Sequence, residues 1–268
     1  MENVKDVKEL EYIKGIFDTH AHYNDEKFEN NREEMIKYVH ENGVDYICNV
    51  GASFKDSEDS IKLAASYSFI YCSVGVHPFY AENLEEGWCE KFIELANNKK
   101  VVAIGEAGLD YSSKSFSKER QFEVFEKQLD IAQSLNLPVI IHSRDAAQDT
   151  LSIIKNFPNV KGVIHCFSGD DVLALKYIDM GWYLGFTGVL TFKNANKTVR
   201  AVCAAPIERV VIETDCPYMA PEPLRGSVCN SVMLKFVVKK ISEVKNISVE
   251  EVLYHTKFNA FNLYKIKL

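Results

Sequence analysis

Eight short β-branched runs recur along the chain: "YIKGIFD", "VDYICNV", "FIYCSVGV", "VVAIGE", "PVIIHS", "VKGVIHCF", "WYLGFTG" and "RVVIETD". A longer stretch of helical pattern follows each one. Strands that alternate with helices in this way pair in parallel, and eight such units suffice to close a sheet on itself. In "SKERQFEVFEKQLDIAQSLNLP", Phe122, Phe125, Leu129 and Ala132 fall on one helical face and Pro138 follows the stop, as a crossover helix requires. Ser248 and Glu251 have the capping-box spacing, opening a last helix that should reach Tyr264. The predicted fold is α/β, a (β/α)8 TIM barrel with a parallel closed sheet; an open, doubly wound sheet is the alternative. The 268 residues fit one such barrel over 15–268, with residues 1–14 as an N-terminal extension whose "MENVKDVKELEY" reads as a short capping helix.

The ends of these runs carry the chemistry. The first ends in His20 and His22, the third runs into His77, and the fourth ends in Glu106. The fifth ends in His142, the sixth in His165, and the eighth in Glu213 and Asp215. Residues two apart on a strand share a face, so His20 and His22 aim together. In a barrel all strand ends meet at one mouth. Five of the seven histidines lie there, while His40 and His255 lie on helical stretches. A single such histidine reads as a hydrogen-bonded core residue, but the set would leave polar groups buried without partners unless it binds something.

The donor count suits two divalent ions. His20 and His22 with Asp215 can hold one, His142 and His165 the other, and Glu106 bridges both. Imidazole-rich ligation points toward zinc or manganese more than magnesium, and the sequence does not choose among the three. Two ions about 3.5–4 Å apart acidify water and clamp the attacked and leaving oxygens, which makes hydrolysis the natural chemistry. Asp215 would bind metal and accept the proton of the attacking water. His77 is cast as a substrate contact, on phosphate or carbonyl, and Glu213 as a group that orients a ligand histidine.

Other chemistries lack their motifs. The chain has no G-x-S-x-G, G-x-x-x-x-G-K-[ST] or H-E-x-x-H, and the glycines of "GEAGLD" read as the turn after a strand. His165 and the adjacent Cys166 would point to opposite faces of a strand, and Cys216 beside Asp215 fails in the same way. The seven cysteines are scattered without a Cys-x-x-Cys, as in a reduced protein. The N-terminus has no apolar h-region and no apolar stretch is long enough to span a bilayer, so the expected location is cytoplasmic, with no membrane partner and no obligatory protein partner. A net charge of −7 gives no global reason to bind nucleic acid, though it allows a local basic rim.

Seven segments spell a family in order: "FDTHAH", "GVHP", "AIGEAGLDY", "QFEVFEKQLDIAQSLNLPVIIHSRDA", "IHCFSG", "GFTGVLTF" and "IETDCPYMAPEPLRG". From about residue 15 onward the chain closely resembles the TatD-type metal-dependent hydrolases, amidohydrolase-like TIM barrels typically described as deoxyribonucleases. The resemblance implies His20, His22, Glu106, His142, His165 and Asp215 as metal ligands, Glu106 as the bridge and Asp215 as the catalytic carboxylate. It also places His77, Arg144 and Arg225 in mouth segments as candidate phosphate contacts. One departure stands out: the family commonly reads Arg-Gly-x-x-Asn-x-Pro, whereas here Asn230 is followed by Ser231 and Val232 without a proline.

The functional expectation is a deoxyribonuclease of 3'-5' exonuclease type, acting on single-stranded DNA ends with two divalent metal ions. Phe79, Tyr80, Tyr111, Phe167 and Tyr218 are candidates to stack on bases. The same centre would serve an amide, ester or lactone hydrolase, including an aminoacyl-tRNA deacylase, because the fold does not fix the electrophile. A non-catalytic binding protein is the third reading.

Overall fold

The computed structural model describes residues 13–267. Strands β1 (Ile16–Ala21), β2 (Val44–Val50), β3 (Ile70–Val74), β4 (Val101–Asp110), β5 (Val139–Arg144), β6 (Gly162–Ile164), β7 (Tyr183–Phe186) and β8 (Val210–Ile212) lie side by side in sequence order. Every neighbouring pair is parallel. Around them run α1 (Arg32–Glu41), α2 (Phe54–Ser66), α3 (Trp88–Ala96), α4 (Lys118–Leu135), α5 (Ala147–Lys155), α6 (Asp171–Asp179), α7 (Asn196–Ala204), α8 (Leu234–Lys245) and α9 (Val249–Leu263). The fold is the (β/α)8 barrel. Residues 1–12 of the expected 1–14 extension, the segment read as a capping helix, lie outside the described residues. Among those described, no helix is long and apolar enough to cross a membrane.

A parallel sheet covered by helices is buried on both faces, which is why the strands read as continuous apolar runs. The barrel closes where β8 meets β1. The Asp215 N–H donates to the His20 carbonyl at 2.9 Å, and the His22 N–H donates to the Cys216 carbonyl at 2.9 Å. Inside this seam the fully buried Asp18 carboxylate accepts from the Thr214 N–H at 3.0 Å, the Thr214 hydroxyl at 2.6 Å, the His20 N–H at 3.2 Å and the Ser231 hydroxyl at 2.6 Å. Burial pushes Asp18 up to about 6, against the pull of those hydrogen bonds.

Three expectations change. The first strand begins at Ile16 rather than at "YIKG", because Gly15 sits at φ 106°, a turn conformation. On α4, Phe122 is only half-buried, and the core face carries Val124, Phe125, Leu129 and Ala132 together with two amides, Gln121 and Gln128. The fourth strand does not stop at Glu106 and turn; β4 continues to Asp110. Gly105 and Gly108 (φ 143° and 145°) lie within it, beside a register shift against β5. A Cβ at Gly108 would meet the His142 carbonyl oxygen at 2.0 Å, so these glycines permit close approach of two strands.

The capping box at Ser248 and Glu251 is present in both halves and opens α9, with Tyr264 as its C-cap. The segment without the family's proline is held by side chains: Asn230 accepts from the Val232 N–H at 3.1 Å, and Ser231 bonds both Asp18 and Tyr23.

Candidate metal centre

The strand ends bring His20, His22, Glu106, His142, His165 and Asp215 to one mouth. The Nε2 atoms of His20 and His22 are 3.0 Å apart. Asp215 Oδ1 lies 3.7 Å from the first and 3.4 Å from the second. Glu106 Oε2 lies 3.6 Å from His20 Nε2 and 3.9 Å from His22 Nε2, while its Oε1 is 2.7 Å from His142 Nδ1 and 3.9 Å from His165 Nε2. Glu106 therefore touches every imidazole in the set.

Neighbours select which nitrogen each ring presents. His22 Nδ1 is 2.9 Å from the Val50 carbonyl, which can only accept, so Nδ1 carries the hydrogen and Nε2 keeps its lone pair for the centre. His165 Nδ1 lies 2.8 Å from Glu213 Oε1, an ion-pair contact not aligned as a hydrogen bond, and its Nε2 faces Asp215 Oδ1 at 3.8 Å. Glu213 is fully buried and also accepts from the Cys166 N–H at 2.5 Å. Its Oε1 therefore contacts both the His165 ring and the backbone of the next residue.

Among the described residues, three groups of donors could hold a cation: His20, His22 and Asp215; His20, Glu106 and His165; and His77, Glu106 and His142. The first matches the expected set. His142 and His165 do not share a group; their ring centroids are 6.4 Å apart. His20 Nδ1 is buried without a hydrogen-bond partner, and the His20 and His165 rings stack at 3.6 Å between two carboxylates. Imidazole nitrogens and carboxylate oxygens converging in this way fit divalent cations.

The charges fit as well. Burial alone would lower His142 and His165, but Asp110 and Glu106 raise the first to about 9, and Glu213, Asp215 and Glu106 raise the second to about 10. Glu106 is the converse case: burial raises it, yet the bonds to His142 and His20 hold it well below the usual carboxylate range. The site concentrates negative potential that a cation would relieve.

His77 differs from the others. Its Nδ1 accepts from the Phe79 N–H at 3.2 Å, and burial lowers it to about 4, so the ring is neutral with its hydrogen on Nε2. The Phe79 contact occupies one nitrogen of a ring that shares a candidate donor group with Glu106 and His142, and it distinguishes His77 from the other histidines at the mouth.

The alternation of faces expected at the last strands does not hold. β6 ends at Ile164 and β8 at Ile212, and Cys166 (φ 46°) and Asp215 (φ 59°) both take the left-handed conformation. For Asp215 this is backbone held out of its ordinary range at the centre. Cys166 is unsuited to nucleophilic chemistry because burial pushes its thiol far up.

Arg144 ends β5 exposed at the rim, and among the described residues no ion pair engages it. Arg225 is exposed in the proline-bounded loop, its guanidinium 4.3 Å from the centre of the Phe192 ring. Of the aromatics, Phe167 is buried against Tyr177 and Phe186, while Tyr80 and Tyr218 are exposed. Phe79 stacks on Phe116, and Tyr111 bonds Asp149. One residue that sequence reasoning missed is Asp110, whose Oδ2 lies 2.9 Å from His142 Nε2.

A family model described as "TatD related DNase" matches residues 17–265. The "uncharacterized metal-dependent hydrolase YabD" of Bacillus subtilis is 39% identical over 253 residues, covering 94% of this chain and 99% of that protein. The "3'-5' ssDNA/RNA exonuclease TatD" of Escherichia coli K12 is 32% identical over 212 residues, covering 78% and 82%. The crystal structure of YJJV, a TatD homolog from E. coli K12, superposes with a TM-score of 0.89 at 26% identity, covering 94% and 98%.

Proposed function

The chain belongs to the TatD-related DNase family of metal-dependent hydrolases, and from that premise we propose that it removes nucleotides from the 3' ends of single-stranded DNA. The convergence of Asp215 and Glu106 on the adjoining rings of His20 and His22, each carboxylate within 4 Å of both imidazoles, carries the reading. His20, His22 and Asp215 would hold one ion and His142 with His165 a second, and Glu106 would reach both. Bound there, such ions would supply acidified water and charge neutralisation at phosphorus.

The side chains then have separate tasks. Asp215 accepts the proton of the attacking water, with Oδ1 beside both His22 and His20. His77 donates its Nε2 hydrogen to a phosphoryl oxygen. Arg144 and Arg225 supply the local positive rim that the net charge of −7 lacks, and a guanidinium matches phosphate in a bidentate fork. Glu213 holds the ring of His165. Beside the centre a groove of about 420 Å³, lined by Tyr111, Ser143, His165, Phe167 and Lys197 among others, leaves room for a nucleotide.

Purified protein stripped of metal is incubated with 5'-labelled and 3'-labelled single-stranded DNA, alone and with magnesium, manganese or zinc, alongside Asp215→Asn. The proposal expects metal-dependent shortening from the 3' end and none from the variant. Intact DNA in the presence of bound metal, with turnover of an ester, lactone or aminoacyl-tRNA, would replace the nuclease by an acyl hydrolase.

A further inference from the structure

β4 overshoots Glu106 by four residues, and its end is held in an unusual way. Gln121, on the core face of α4, accepts from the Asp110 N–H through Oε1 at 2.8 Å and donates through Nε2 to the Asp110 carbonyl at 3.1 Å. Only 1% of its surface is exposed. A buried primary amide is costly unless both ends are satisfied, and the Asp110 backbone satisfies both. An apolar residue would serve packing on that face, so what the amide adds is the placement of Asp110.

Asp110 is equally buried, and both its oxygens are engaged. Oδ1 accepts from the Ser112 N–H at 2.8 Å and the Ser112 hydroxyl at 2.5 Å. Oδ2 faces His142 Nε2 at 2.9 Å, on the side of the ring away from Glu106. A carboxylate there keeps the hydrogen on Nε2 and leaves Nδ1 to the centre.

We propose that Asp110 is a positioning residue of the metal centre, fixing the orientation and tautomer of His142, and that Gln121 sets Asp110 from the supporting helix. The unit runs Gln121, Asp110, His142, Glu106, from the barrel's outer layer to the carboxylate shared by both candidate ions. This rests on the metal-centre part of the proposed function and is independent of whether the substrate is DNA.

The test is a titration of metal-free protein with manganese or zinc, read by calorimetry and by the downfield imidazole proton of His142 in the zinc-loaded protein. Native protein should bind two ions and show that proton. Asp110→Asn should weaken one ion by about 10–100-fold and leave the other unchanged, with the His142 proton moved upfield. Gln121→Met should give the same selective loss to a smaller degree, and it keeps the test available should Asp110→Asn fail to fold. Asn259→Leu removes a comparable buried amide, one that bonds the Ile207 and Val210 carbonyls away from the centre, and should leave both ions in place. Native affinities in Asp110→Asn and Gln121→Met, or equal loss in Asn259→Leu, would overturn the proposal. Native protein that binds no ion would instead overturn the metal reading beneath it.

Discussion

Asp18 and Thr214 lock the barrel at the seam where its first and last strands meet: one carboxylate takes both the N–H and the hydroxyl of one threonine, at 3.0 and 2.6 Å. His20 lies two residues after Asp18, and Asp215 directly follows Thr214. The contact that closes the fold therefore also sets the separation of two candidate ligands.

Asp18→Ala removes the acceptor shared by four buried donors, on Thr214, His20 and Ser231. The expected loss is about 3 kcal/mol, seen as a lower urea midpoint at unchanged slope. Asp18→Asn should cost less, because the amide oxygen still accepts and the two hydroxyls can turn to accept from its NH2.

Protons and metal should compete at the centre. His142 and His165 stand near 9 and 10 in the metal-free protein, above the ordinary 6.5, so both are charged at neutral pH. A ligand nitrogen must shed its proton, so loading at pH 7.5 should release about two protons per molecule. Affinity should therefore rise with pH until it passes about 10. Calorimetry in two buffers of different ionisation enthalpy counts the protons, and a count of zero would contradict the charge states described.

Gly108→Ala should damage the centre from within β4. Its Cβ would enter the space of the His142 carbonyl oxygen, 2.0 Å away, at a φ of 145° that L side chains rarely adopt. Loss of soluble, cooperatively folding protein, or selective loss of an ion in what remains, is the expected outcome in circular dichroism and metal analysis.

That glycine also marks where sequence reading stopped short. The barrel was legible because eight apolar runs alternate with helices, and the histidines stood out because five of the seven stand at the ends of such runs. "GEAGLD" was not, since glycine spells a turn and a strand bulge alike; only β5, folded alongside, decides between them. Ending the strand at Glu106 hid Asp110. Gln121 and Gln128 were hidden for a related reason: periodicity looks for apolar residues, and a buried amide that bonds the backbone of another segment carries no such signal. The positive φ of Asp215 is likewise set by the seam and not by local sequence.

Substrate contacts should separate from metal contacts in kinetics. Arg144→Ala should raise KM for DNA roughly tenfold with a smaller change in kcat, and Arg144→Lys should recover only part, since an ammonium cannot match the bidentate fork. A fall in kcat with KM unchanged would place Arg144 elsewhere in the reaction.

The most direct measurement is anomalous diffraction from crystals grown with manganese. Two peaks are predicted, one among His20, His22 and Asp215 and one on the side of Glu106 that faces His142 and His165. A peak coordinated by His77, or none at all, would contradict the account.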